Sequence, residues 1–209
     1  MSVVEMSVHR GLAELKLYEN KINSSMQSTF VVANKKSNKN IGGRTVAEVR
    51  DLIKGNFDSI TSLIENRKRV KAEIVKSNSK TMVVVGGKEM SVAEAIERKN
   101  SVVFEQNFLG TLRNQFNLQN NVVDSKNNEL SQKLEGYLQA TLGENREAEQ
   151  VKQLTKTFND NNEYELVDPA KIQDKIDSLQ TQIQEFQSQV DYILSESNAK
   201  TFISVELVD

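Results

Sequence analysis

The chain has 209 residues, of which 27 are Lys or Arg and 29 are Asp or Glu, and the formal charge of −2 argues against capture by nucleic acid or an anionic membrane through bulk electrostatics. It has no cysteine and one histidine, His9, so disulfides, thiolate chemistry, cysteine–metal sites and histidine-based triads drop out. Apolar residues are 37%, below the ~45–50% usual for a globular domain, and with 27% charged residues the composition points to elongated helical elements with thin cores. No 18-residue apolar run and no signal-peptide-like start is present, so a soluble chain not exported by the usual route is expected.

In chain order, Leu12, Leu15, Tyr18 and Ile22 recur at helical spacing and predict a helix over residues 7–26. Ser28-Thr29-Phe30-Val31-Val32 reads as a short strand. A polar loop follows, carrying Lys35, Lys36 and Lys39, with Arg44 just beyond Gly42-Gly43. Thr45-Val46-Ala47-Glu48 is a capping box, Ser or Thr followed three residues later by Glu, and it opens a helix running to about Lys76. That helix should turn Val49, Ile53, Phe57, Ile60, Ile64, Val70 and Ile74 inward. Lys80-Thr81-Met82-Val83-Val84-Val85 then reads as a strand, and Gly86-Gly87 as a two-residue hairpin turn needing positive φ at both positions. The hairpin reading is preferred to a phosphate-cradling loop because no Lys-Ser/Thr follows at Walker spacing.

Ser91-Val92-Ala93-Glu94 is a second capping box, opening a helix whose face carries Val92, Ala95, Ile96, Val103, Leu109, Leu112 and Phe116. Residues 114–128, rich in Asn and Gln, suit either a loop or a helical extension. Two further helices are expected over 127–142 and 144–159. At Val167-Asp168-Pro169, Asp168 suits an N-cap and Pro169 the first helical position. From there Ile172, Ile176, Leu179, Ile183, Phe186, Val190 and Ile193 step 4-3-4-3-4-3, a narrow coiled-coil seam seeking a partner from this chain or another.

The sequence also echoes itself. Ser77-Asn78-Ser79-Lys80-Thr81 returns as Ser197-Asn198-Ala199-Lys200-Thr201, each run closing a helix before a strand, with Asn78 and Asn198 as helix-ending residues. The last strand, over residues 201–208, offers Thr201, Phe202, Ile203 and Val205 along an edge able to add to another sheet. The assembled expectation is a mainly α protein: one domain, an elongated antiparallel helical bundle or coiled coil, with a small antiparallel sheet of hairpin and C-terminal strand at one end. Met82, Val84, Phe202 and Phe30 would seal that end. Residues 28–44 would be a polar loop insertion and 114–165 a helical insertion.

Strand, Gly turn, strand and Ser91-Val92-Ala93-Glu94-Ala95-Ile96-Glu97-Arg98, joined by the stretch from Val167-Asp168-Pro169 through Ile183-Gln184 to Ser197-Asn198, resemble the septicolysin-like family of helical proteins of bacteria and phages. The likeness spans roughly residues 60–112 and 166–205. Where that family commonly has Trp after the Asn, Ala199 stands here. The resemblance implies a helical hairpin with a β-hairpin, an oligomeric state and no transferable catalytic residue.

His9 lacks His or Cys companions and reads as a surface residue rather than a ligand. Glu144, Glu147, Glu149, Glu163 and Glu165 read as solvated helix faces, since no EF-hand pattern surrounds them. Lys35, Lys36, Lys39 and Arg44 could contact phosphate, but no aromatic interleaving accompanies them, so a nucleic-acid partner is not favoured. Arg67, Lys68, Arg69 and Lys71 fall late in a helix, where the dipole favours cations anyway. No enzyme activity, cofactor, metal or membrane span is expected. The expected role is structural: a bacteriophage virion component packing against itself or neighbouring structural proteins. The alternative is a bacterial cytoplasmic homo-oligomer, with a carboxylate-dependent enzyme behind both. The location would be the virion if the chain is phage-encoded, and otherwise the cytoplasm.

Overall fold

The computed structural model describes residues 2–144 and 146–208. The protein is mainly α, with small antiparallel two-stranded sheets. In order come β1 (Ser2–Ser7), α1 (Val8–Ser25), β2 (Asn40–Ile41), β3 (Arg44–Thr45), α2 (Val46–Lys80), β4 (Met82–Val85), β5 (Lys88–Ser91), α3 (Val92–Leu142), α4 (Ala148–Asn162), α5 (Ile172–Lys200) and β6 (Phe202–Leu207). The chain forms two compact units, Met1–Asn100 with Glu185–Asp209, and Ser101–Gln184.

In the first unit one local device appears three times: a strand pair of which one strand runs straight into a helix. Ser7 accepts the Arg10 N–H and caps α1, while Thr45 and Ser91 form reciprocal capping boxes with Glu48 and Glu94. Each helix starts with a valine, and its N–H, an orphan in an isolated helix, donates to the residue just before the opposite strand. Val8 donates to Thr201 at 2.8 Å, Val46 to Lys39 at 3.1 Å and Val92 to Thr81 at 2.8 Å. Two of the pairs, β2–β3 and β4–β5, are hairpins closed by Gly42-Gly43 and Gly86-Gly87, all four at positive φ, as a type I′ turn requires.

The third pair is β1 with β6, in register from Ser2↔Leu207 to Ser7↔Phe202. The C-terminal strand is therefore already paired along one edge by the chain's own first strand. It shares no sheet with the β4–β5 hairpin, contrary to the single hairpin-plus-strand sheet expected. The strand β1 had a sequence signal: Met6-Ser7-Val8 repeats Met90-Ser91-Val92, the end of β5.

The β1–β6 sheet lies on α1 and α2, and Met6, Val8, Leu15, Val70, Ile74, Ile203 and Val205 form a buried cluster with Val4, Tyr18 and Leu207 packed against it. Gly11 lets α1 come close, for a Cβ there would sit 3.2 Å from both Ile203 Cδ1 and Ile74 Cδ1. The strand phase is opposite to the one expected. Ile203, Val205 and Val85 point inward, whereas Phe202, Met82 and Val84 are exposed and seal nothing. Phe30-Val31-Val32 forms no strand. Asn78 and Asn198 lie within helices, which end instead just before Thr81 and Thr201, each donating its N–H to a carbonyl four residues back at 2.9 Å.

Helix α2 continues four residues past the expected end, and although Val49, Val70 and Ile74 are buried, Phe57 and Ile64 are exposed. Helix α3 runs unbroken through the Asn- and Gln-rich stretch. In the second unit α4 begins at Ala148, and Asn145, inside the expected 144–159 helix, lies outside the described residues. Tyr137 of α3 meets Phe158 of α4 with ring centroids 5.4 Å apart. Pro169 is not in α5: Lys171 at φ 54° separates them, and Asp168 caps from four residues upstream, Oδ2 accepting the Ile172 N–H at 2.8 Å.

Candidate interaction surfaces

The heptad seam of α5 is covered by the chain itself. In the second unit Ile176 and Ile183 are buried, Ile172 and Leu179 half-buried, and Gln180 accepts a hydrogen bond from Arg113 of α3. In the first unit Phe186 and Val190 are buried and Ile193 is half-buried. The Arg98 guanidinium lies 4.4 Å from the Phe186 ring centroid, and Lys99 pairs with Asp191 at 2.6 Å. The tip of the β4–β5 hairpin docks here too, Gly86 N–H donating to Gln189 Oε1 at 3.0 Å. A seam so enclosed is core and not the free interaction surface expected.

The open edge of β6 is a different matter. Hydrogen-bonded pairs alternate along an antiparallel ladder. Because Val8 donates to Thr201, the backbone groups of Ile203 and Val205 face β1, and those of Phe202, Ser204 and Glu206 face the other edge. Arg69 Nη1 reaches that edge from α2 and donates to the Glu206 carbonyl at 3.3 Å. Just beyond, Asn66 clamps the strand end, accepting from the Val208 N–H at 2.7 Å and donating to its carbonyl at 2.8 Å, as a neighbouring strand would. Between β6 and α2 lies a groove of about 650 Å³, with Glu73, Lys76, Lys80, Phe202 and Ser204 on its walls. Of the expected edge residues, Phe202 borders this groove with its side chain exposed, Thr201 is half-buried, and Ile203 and Val205 turn into the core. The same phase on β4, set by Val92 donating to Thr81, leaves Met82 and Val84 facing an open edge and solvent.

The basic groups divide. Lys35, Lys36, Lys39 and Arg44 are all exposed on the loop and hairpin before α2, whose backbone is tied locally by Asn38 N–H donating to the Lys35 carbonyl. The α2 cluster is partly engaged: Arg67 pairs with Glu19 of α1, and Arg69 with Glu65 as well as the β6 edge. Among the described residues, three carboxyls are held below their ordinary range. Glu48 and Glu94 are lowered by hydrogen bonds from the backbone N–H and hydroxyl of their capping partners, and Glu196 by Lys200. The Tyr18 hydroxyl is raised by burial and by Glu14. These shifts belong to caps, ion pairs and packing. No helix among the described residues is long and apolar enough to cross a membrane.

No protein-family model, curated protein or solved structure matches this chain.

Proposed function

We propose that this protein is a structural assembly subunit that packs against copies of itself or neighbouring structural proteins, and that its setting is a bacteriophage virion. The observation carrying the assembly reading is the outward row on the open-edged strands. Phe202 is 62% exposed, Val84 57% and Met82 54%, each on a strand whose other edge is already paired. Exposed apolar residues beside unpaired backbone groups form a template for another chain. The virion setting rests on the resemblance to the septicolysin-like proteins. A cytoplasmic homo-oligomer would use the same surfaces, so the two readings part on location rather than chemistry. The lowered Glu48, Glu94 and Glu196 carboxyls support structural roles for those acids over proton transfer at neutral pH.

Light scattering across a hundredfold concentration range, together with sedimentation of the chain alongside purified particles, tests this reading. Assembly predicts a mass above that of one chain or recovery in the particle fraction. Substituting Met82, Val84 and Phe202 by Ser should reduce either signal without unfolding the protein. A monomer at every concentration that never sediments with particles refutes it.

A further inference from the structure

Helix α3 carries a second heptad pattern on a face turned away from its buried one. Within the second unit, Phe104, Phe108, Thr111, Gln115, Leu118 and Val122 step 4-3-4-3-4, and all six are exposed, Phe104 at 72% and Phe108 at 57%. At 100° per residue they lie within a stripe about 80° wide. The buried Val102 and Leu109 of the same helix sit more than a quarter-turn away. Flanking the stripe, an asparagine returns every seventh residue, at Asn107, Asn114, Asn121 and Asn128, each exposed. From Phe104 to Val122 neither the stripe nor the asparagine row contains a charged residue, in a chain that is 27% charged. Depletion of charge around exposed aromatic residues is the compositional mark of an interface core.

We propose that this face binds a second copy of the same chain, with the two α3 helices antiparallel across a two-fold axis near Asn114. The inference rests on the assembly reading and names its partner. The spacing is self-complementary, as a two-fold interface requires. With Asn114 near the axis, Phe104 faces Val122 of the partner subunit, Phe108 faces Leu118 of the partner subunit, and Thr111 faces Gln115 of the partner subunit. Each aromatic ring thus meets an aliphatic side chain, and the polar pair falls at the centre. Asn107 then faces Asn121 of the partner subunit, and an amide that both donates and accepts can pair with its own kind. The stripe extends roughly 27 Å along a helix about 10 Å across. It therefore buries on the order of 800 Å² over both copies, below the ~1,200 Å² of stable specific interfaces and in the range of a weak, transient contact. The pairing is expected to be weak and concentration-dependent in isolation, and reinforced where many copies are held together.

The chain has no cysteine, so single cysteines report the geometry without background. N107C and N121C proteins, distinguished by a size tag and mixed under mild oxidation at about 100 µM, should give a mixed disulfide dimer at least tenfold above either protein alone. Phe104→Ser with Phe108→Ser should weaken the dimer at least tenfold in light scattering while leaving the helical circular dichroism and melting temperature unchanged. Crosslinking of N107C with itself as strongly as with N121C would indicate a parallel pair and overturn the proposal. No crosslink, with a mass that still rises with concentration, would overturn this interface and leave the assembly reading standing. No crosslink, with a chain that remains monomeric and never sediments with particles, would end both.

Discussion

Neighbouring residues on β6 provide a test of the strand phase on which both the core and the open edge depend. Ile203 is 5% exposed and packed in the cluster with Val70 and Ile74, whereas Phe202, one residue earlier, faces solvent. Truncating a buried Ile to Ala removes its transfer free energy and leaves a cavity, about 2–5 kcal/mol in total. Gly11 packs against Ile203 Cδ1, so the helix above has little room to collapse into the void, and ~3 kcal/mol is a fair central figure. For Phe202→Ala, fully burying a Phe is worth ~1.5–3 kcal/mol, and with well over half of the side chain already in water the loss should stay below ~1 kcal/mol. At ~2–4 °C per kcal/mol for a chain of this size, Ile203→Ala should lower the melting temperature by roughly 6–12 °C and Phe202→Ala by no more than ~4 °C. The assay is thermal melting followed by circular dichroism at 222 nm, with urea titration as a check. Equal shifts, or a larger one at Phe202, would refute the phase. The larger Phe202 shift is what a Phe202 sealing the end of the bundle would give.

Other expectations follow from the same packing. Gly11→Val crowds the Cδ1 atoms of Ile74 and Ile203 and should cost about 1–3 kcal/mol, seen as an earlier urea midpoint; no change would mean that α1 sits further from the sheet. Ser91→Ala removes the cap of α3 at a cost of ~1 kcal/mol, and its effect should depend on pH. Because folding depresses the Glu94 carboxyl below its ordinary value of 4.5, the stabilisation it supplies is present above that value and lost as pH falls through the lowered folded value. The stability difference between wild type and Ser91→Ala should therefore shrink in acid, and a pH-independent difference between pH 7 and pH 3 counts against the capping box. Phe186→Asp removes a fully buried ring from beneath the Arg98 guanidinium and buries a carboxylate in its place, and should cost several kcal/mol, while Gln184→Asp, at an exposed position, should be nearly silent; equal melting temperatures would contradict the burial of the α5 seam.

Features with local causes were legible in the sequence. A capping box is closed by residues three apart, a Gly-Gly hairpin turn by two adjacent φ angles, and a heptad seam by the pitch of one helix, so Thr45/Glu48, Ser91/Glu94, Gly86-Gly87 and the α5 stripe could be read directly. What the α5 stripe could not say is whether its partner lay in the same chain. The Asn- and Gln-rich run in α3 was ambiguous because the propensity of asparagine is poor for a helix but weak enough for tertiary packing to override. The candidate surfaces divide in the same way: Phe202 was visible as a strand residue, but the Arg69 and Asn66 contacts along β6 join residues 137 and 142 positions apart and leave no trace in local pattern.

By itself, then, the sequence determined the helical class, where three helices begin, and the Gly86-Gly87 hairpin turn, because hydrogen bonds and steric limits within a few residues decide those. Tertiary structure alone decided that β1 pairs with β6 across the whole length of the chain, that Ile203 and not Phe202 faces the core, and that the α5 seam is closed from within. A strand with alternating side chains has two faces and two edges, and only the elements folded against it determine which are covered.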